Sequence, residues 1–296
     1  MTETTIPRVI LVTGANGQLG NELRVLAPMH PGLQFHFTDV GELDITSEPA
    51  VMAMVERIRP LVIINCAAYT AVDRAEQDEE KATLLNGTAP GILARVAGET
   101  GALLIHVSTD YIFDGRACTP YAEDHPVAPN SAYGRSKLSG ELQVMAHAKQ
   151  AIILRTSWLY SSFGHNFVKT MMKSGRERGH LRVVFDQAGS PTYARDLADA
   201  ILQIIESGQS VQGTEVYHYA NEGVASWYDF ALAIMEISGI PCTVSPILTK
   251  EYPLPATRPA YSVFDKAKIK ERYGIAIPYW RESLKRCMAL LVTSDK

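Results

Sequence analysis

The sequence predicts an α/β chain in which a doubly wound parallel sheet is followed by a smaller mixed α/β lobe. Three observations predict it. Short apolar runs alternate with helical patterns through the first half. A glycine-rich turn joins the first apolar run to the first helix. Past about residue 160 the alternation loosens and proline-rich segments such as Pro241–Pro259 appear. Strands alternating with helices are the signature of right-handed βαβ units on a parallel sheet.

Taken in order, Arg8–Thr13 (RVILVT) reads as a buried strand and Gln18–Leu26 as a helix. Gln34–Thr38 is a second strand, Ala50–Ile58 a helix and Leu61–Asn65 (LVIIN) a third strand. One long helix covers Glu79–Thr100, followed by the strand Leu103–Ser108. A helix from Ala132 to Ala148 leads into the strand Ala151–Arg155. Further helices are expected at Phe163–Ser174, Ala194–Ser207, Ser226–Ile237 and Tyr279–Leu291. The division is therefore residues 1–160 for the sheet domain, with some later segments returning to it, and 161–296 for the smaller lobe. No repeat, low-complexity tract or flexible linker interrupts it.

Bulk properties exclude several classes. The 296 residues suffice for a well-buried core. A net charge of −4 gives no reason to expect nucleic acid or an anionic membrane as partner. No apolar run reaches the ~18 residues of a membrane-spanning helix. Met1–Arg8 is short and polar, lacks a signal peptide's apolar stretch, and leads straight into a strand. The expected location is cytoplasmic. Cys66, Cys118, Cys242 and Cys287 lie far apart without a CxxC pair and read as free, mostly buried thiols. No zinc-type spacing is present.

Thr13–Gly20 (TGANGQLG) places Gly14, Gly17 and Gly20 at GxxGxxG spacing between a strand and a helix. Glycines there let the backbone turn sharply and approach a pyrophosphate, while the helix N-terminus supplies free N–H groups and a positive dipole end. This makes the sheet Rossmann-type, a dinucleotide-binding fold. Gln18 and Leu19 open that helix. Asp39 ends the second strand, where an acid accepts from adenine-ribose hydroxyls and repels a 2′-phosphate, leaning towards NADH. Alternatively it is a strand-end turn residue. Asp44 and Ile45 could cover the adenine. Ala68, Tyr69 and Thr70 follow the third strand, at the carboxyl edge where such cofactors lie.

Ser108-Thr109-Asp110-Tyr111 ends the fourth strand, and Tyr133-Gly134-Arg135-Ser136-Lys137 opens the next helix. Tyr133 and Lys137 stand four residues apart, on one helical face. A tyrosine near pKa 10 is a poor acid or base at neutral pH, and a nearby ammonium favours its phenolate and lowers that pKa. A hydroxyl from Thr109 or Ser108 can align a substrate oxygen. YxxxK alone is weak. Together with the upstream glycines and the strand-end Ser-Thr-Asp it points to carbonyl reduction with Tyr133 as proton donor.

The segments NCAAYTAVDRAE (65–76), HVSTDYIFDG (106–115), YGRSKLSGE (133–141), RTSWLY (155–160), FGHNFVKTM (163–171), DQAGSPTYARDLA (186–198) and TRPAYSVFDKAKI (257–269) carry a resemblance along almost the whole chain. It resembles the dTDP-4-dehydrorhamnose reductase family of extended short-chain dehydrogenases. The resemblance implies hydride transfer from NADPH or NADH to carbon 4 of a dTDP-linked 6-deoxy-4-keto-L-hexose. Thr109, Tyr133 and Lys137 match the catalytic trio. Gly17, Gln18, Leu19, Asp39, Asp44, Ile45, Ala68, Tyr69, Thr70, Tyr133 and Lys137 match cofactor contacts. Thr109 and Asp110 would touch the sugar, with Trp158 closing the pocket. The family often accepts both cofactors, which tempers the reading of Asp39. Some members dimerise around magnesium held by glutamates. Glu22 matches one such position, but Arg195 stands at another and the C-terminal helix offers no clear counterpart. No metal is therefore expected at a dimer interface, and the chain is expected as a monomer or homodimer.

Other readings stand beside these. Arg258 would meet the nucleotide's phosphates or lie on the surface. Trp158 would serve the pocket or the core. Asn166 and Gln187 would be family positions or loop anchors. The run Asp73–Lys81 (DRAEQDEEK) reads as a solvated helix entry, and His106 as a satisfied core histidine. A 4,6-dehydratase normally has an acidic pair after the threonine, whereas Thr109 is followed by Asp110-Tyr111. An epimerase stays open on chemistry alone. So does a regulatory subunit like that of methionine adenosyltransferase, which binds a partner and needs no catalytic trio.

Overall fold

Residues 8–294 are described by the computed structural model, which leaves the polar lead-in at 1–7 outside. Strands β1 (Arg8–Thr13), β2 (Leu33–Phe37), β3 (Val62–Asn65), β4 (Leu103–Thr109) and β5 (Gln150–Thr156) alternate with helices. These are α1 (Gln18–Leu26), α2 (Glu48–Ile58), short α3 (Val72–Ala75), α4 (Glu79–Thr83), α5 (Ala89–Thr100) and α6 (Ala132–His147). The second half adds β6 (Leu159–Tyr160), α7 (Phe167–Arg178), β7 (His180–Val184), β8 (Ala188–Gly189), β9 (Thr192–Tyr193) and α8 (Ala194–Ser207). It ends with β10 (Gly213–His218), β11 (Ala225–Ser226), α9 (Trp227–Ser238), β12 (Thr243–Ile247), α10 (Ala267–Tyr273) and α11 (Trp280–Ser294).

The main sheet has six strands in the order β10-β5-β4-β3-β1-β2, every pair parallel. Its central strands read as unbroken apolar runs because both faces are covered. On one face α1 and α8 bury Ile10, Val12, Ile64, Ile105 and Leu154. On the other α2, α5 and α6 cover Leu11, Ile63, Leu104 and Ile153. The chain runs from β1 outward to β2 and then returns to β3 on the other side of β1. That reversal opens a crevice at the carboxyl ends of β1 and β3, the place where this fold class binds ligands. The Rossmann-type α/β architecture expected from sequence is the one found.

The second core joins α7, α9 and α11 around Phe230, Ile234, Trp280 and Leu284, with the parallel ribbon β7–β12 beside it. Two differences from the expected elements have local causes. Helix α7 begins at Phe167, not Phe163, because the Asn166 side chain accepts from the Lys169 N–H and caps it there. The expected long helix Glu79–Thr100 is broken by a π-helical turn at Leu84–Thr88. Such turns widen a helix by one residue and are frequent at functional sites.

Candidate active site

The glycine-rich turn after β1 lies against the loop after β3. Gly14 has φ +65°, and a Cβ there would sit 2.5 Å from the Ala67 nitrogen, so only glycine permits this approach. Gly17 is the N-cap of α1 and brings no capping side chain. The first N–H groups of the helix, at Gln18 and Leu19, are left open to an anion. The side chain of Leu19 is buried in the core, so its backbone alone can serve a ligand. Gly20 lets the helix pack closely on Ala15. Gln18 reaches the second lobe, donating to the Leu159 carbonyl at 3.4 Å and accepting from Asn166 at 3.0 Å. These features fit a dinucleotide's pyrophosphate.

Asp39 accepts from the Asn16 N–H at 2.9 Å and from the Val40 N–H at 2.9 Å, so it caps the glycine turn from the end of β2. Asp44 is exposed, and Thr46 hydrogen bonds hold its carboxyl below the usual range. Ile45 is buried among Val51, Val55 and Ile92 and presents no side chain to a cofactor. Ala68, Tyr69 and Thr70 form the rim after β3, with Ala68 and Thr70 exposed. The loop is fixed by Asn86 in the π-turn, a fully buried residue that sequence reasoning missed. Its amide accepts from the Tyr69 N–H at 2.7 Å and donates to the Tyr69 carbonyl at 3.0 Å and to Ser136 Oγ at 3.0 Å. Ser136 Oγ in turn donates to the Tyr133 carbonyl at 2.7 Å. One side chain thus ties the cofactor rim to the helix of Tyr133.

Thr109, Asp110, Tyr133 and Lys137 come together at the carboxyl end of β4. Burial pushes the Tyr133 pKa up to about 12, with Asp110 adding to the rise, against the lowering expected from the neighbouring Lys137. Tyr111 meets the Tyr133 ring edge-on at 5.4 Å. Lys137, only 1% exposed, donates to the Val107 carbonyl at 2.7 Å. Burial lowers its ammonium pKa to about 8. Burial also lifts Asp110 to about 6, against the Thr109 Oγ1 hydrogen bond at 3.1 Å that favours its charge. One Asp110 oxygen and Ser108 Oγ are buried without a partner.

His106 is buried, but only half satisfied. Its Nδ1 faces Asn65 Nδ2 at 3.0 Å while Nε2 has no partner. The run Asp73–Lys81 is more engaged than a solvated entry. Glu76 accepts from the Ala132 N–H at 2.8 Å and Glu79 takes Arg135 at 2.9 and 3.0 Å, so the run pins the start of α6. Asp73 receives both Nη groups of Arg258, at 2.5 and 2.6 Å. Arg258 is therefore held half-buried against Asp73. Of the four free thiols only Cys287 is fully buried, and Cys118 is exposed.

Trp158 lies two residues beyond Thr156, which pairs with Thr109 in the sheet. Its backbone is left-handed at φ +48°, a conformation that costs a bulky residue about 1–3 kcal/mol. Its indole stacks on Trp227 at 3.5 Å and 5° between planes. A Cβ at Gly189 would come within 2.6 Å of Trp158 and 2.8 Å of Ser262 Oγ. Trp158, Gly189 and Ser262 therefore pack together as one wall.

Glu22 does not suit magnesium. It is fully buried, with one oxygen taken by Ser161 Oγ at 2.6 Å and the other by Arg195 Nε at 2.9 Å. Among the described residues no three or more His, Cys, Asp or Glu side chains gather as a metal site. No described helix is long and apolar enough to cross a membrane.

Residues 8–293 match the family model described as the RmlD substrate binding domain. A curated dTDP-4-dehydrorhamnose reductase of Burkholderia thailandensis is 40% identical, with 96% of this chain and 99% of that protein covered. A solved dTDP-4-dehydrorhamnose reductase from Clostridium acetobutylicum is 42% identical with TM-score 0.89, covering 96% of this chain and 99% of that one. Another from Bacillus anthracis, in complex with NADP, is 38% identical with TM-score 0.91 and covers 96% and 99%.

Proposed function

The chain belongs to the family of dTDP-4-dehydrorhamnose reductases with the RmlD substrate binding domain, and on that premise we propose that Tyr133, Thr109 and Lys137 carry out its reaction. The reaction is reduction of the 4-keto group of dTDP-4-dehydro-6-deoxy-L-mannose to dTDP-L-rhamnose with NADPH or NADH. When bound, the reduced nicotinamide supplies the hydride. Thr109 Oγ1 and the Tyr133 hydroxyl hold the carbonyl oxygen between them, and Tyr133 gives its proton to the oxygen as negative charge develops. Lys137 stands one turn away, and its ammonium favours the phenolate that remains.

The observation that supports this most is the gathering of Tyr133, Thr109 and Lys137, all buried, at the carboxyl end of β4, with Lys137 donating to the Val107 carbonyl. The cofactor lies along the Gly14–Gly20 turn, with Asp39 at the ribose and Ala68–Thr70 at the rim. Asp110 and Trp158 line the sugar's side, and Arg258, oriented by Asp73, faces the diphosphate. The lobe of residues 161–296 mainly holds the sugar nucleotide. The enzyme works in the cytoplasm as a monomer or homodimer without a bridging metal. The test follows oxidation of NADH and NADPH with a panel of dTDP-, UDP- and GDP-linked 4-keto sugars. Turnover with the dTDP sugar supports the assignment, and consumption of none of them overturns it.

A further inference from the structure

A tryptophan forced into a left-handed backbone needs a reason to be tryptophan, since glycine adopts that conformation without strain. The reason lies on its far face. The Trp158 indole is covered by the Trp227 indole, nearly coplanar at 3.5 Å. Trp227 is the first residue of α9 and is held from two directions. Its Nε1–H donates to Gln187 Oε1 at 3.1 Å, and Phe167 at the start of α7 packs against its ring at 4.7 Å. Gln187 is buried and donates onward to Thr249 Oγ1 at 3.0 Å. Below, Gly189 leaves no room for anything but the indole edge. On the other side the Trp158 carbonyl is tied to the Thr192 N–H at 3.2 Å.

Every one of these supports comes from the second lobe, while Trp158 itself ends the sheet domain beside Thr156 and Thr109. We infer that Trp227 and Gln187 are positioning residues: they fix the Trp158 indole as a rigid apolar wall of the acceptor pocket and so set its fit to the sugar. This rests on Trp158 lining that pocket. A flat ring locked in place loses no freedom when a sugar face settles on it, which is the advantage of a pre-organised contact.

The brace has a spectroscopic signature. Two indoles stacked face to face couple as excitons and give a paired circular-dichroism band, with Trp280 as the only other tryptophan. The expected results are a couplet that keeps its shape on saturation with dTDP-sugar, as a locked ring pair must, and its loss in Trp227→Phe. Trp227→Ala should raise KM for the sugar nucleotide by roughly ten- to a hundredfold, the scale for a lost pocket contact, with KM for the cofactor unchanged. Trp227→Phe should recover most of that loss, because a ring still covers Trp158. Gln187→Leu, which keeps the ring pair but frees Nε1, gives a smaller KM rise and serves if Trp227→Ala fails to fold. If Trp158→Phe raises KM while neither Trp227→Ala nor Gln187→Leu does, the brace is wrong. If Trp158→Phe leaves KM unchanged, the pocket reading itself has failed. Equal weakening of sugar and cofactor binding would mark a purely structural role and overturn the inference.

Discussion

The ammonium of Lys137 sits 2.7 Å from the carbonyl oxygen of Val107, so the lysine one turn from Tyr133 also pins α6 to β4. Burial leaves it with a pKa of about 8. Below that value the ammonium is present and makes Tyr133 a better acid; above it the charge is gone. Turnover should therefore fall as pH rises through about 8. Tyr133 itself, at about 12, stays protonated across the range. A kcat profile between pH 6 and 10 checks this, and a flat profile in the wild type would contradict it.

Tyr133→Phe should lower kcat by roughly 10²–10⁴-fold, the range for losing a general acid. Cofactor affinity, measured by NADH fluorescence titration, should hardly change. Near-normal turnover would remove Tyr133 from the mechanism.

Asp39 caps the Asn16 N–H with one carboxylate oxygen, and the cofactor's ribose is proposed to lie beside it. Asp39→Ala should shift the ratio of kcat/KM values towards NADPH, because the repulsion of a 2′-phosphate is gone. An unchanged ratio would show that the residue only shapes the turn.

Asp110 offers a stability test. Its carboxyl moves from 3.8 unfolded to about 6 folded, so the folded protein binds more protons between those values. Above pH 6 the full cost of holding a buried carboxylate is present, roughly 3 kcal/mol, and it disappears as pH falls below about 4. Asp110→Asn should raise the melting temperature at pH 7.5, and the gain should shrink to nothing near pH 4. A gain independent of pH would point to packing instead.

Arg155 and Glu141 form a buried pair at 2.7 Å that holds α6 against β5. Glu141→Ala strands the guanidinium and should cost about 3–5 kcal/mol in urea unfolding. Replacing both with Met and Leu should restore much of that. If the single and double variants lost the same stability, the charge would not be the cause.

Much of this was legible from sequence for a physical reason. β1, β3, β4 and β5 are covered on both faces, so they read as apolar runs, and the helices between them carry their own periodicity. The glycine spacing and the Tyr133–Lys137 pair are local as well. What escaped is non-local. Asp73 and Arg258 are 185 positions apart, Trp158 and Trp227 stack across 69 positions of sequence, and β7 and β12 (HLRVV and TVSPI) are short strands that become a ribbon only by pairing. Asn86 did leave a trace, an Asn-Gly within a helical stretch, where a helix former would be expected.

The return of β10 to the edge of β5 carries a consequence for biosynthesis. Until Gly213–His218 has been made, β5 presents a row of unpaired N–H and C=O groups at an open, apolar margin. A nascent or truncated chain ending near residue 160 lacks this strand and also α8, which covers one face of the sheet, and it should self-associate where the full chain does not. The margin of β5 is covered only by a strand that arrives late, after α7 and α8 have been synthesised.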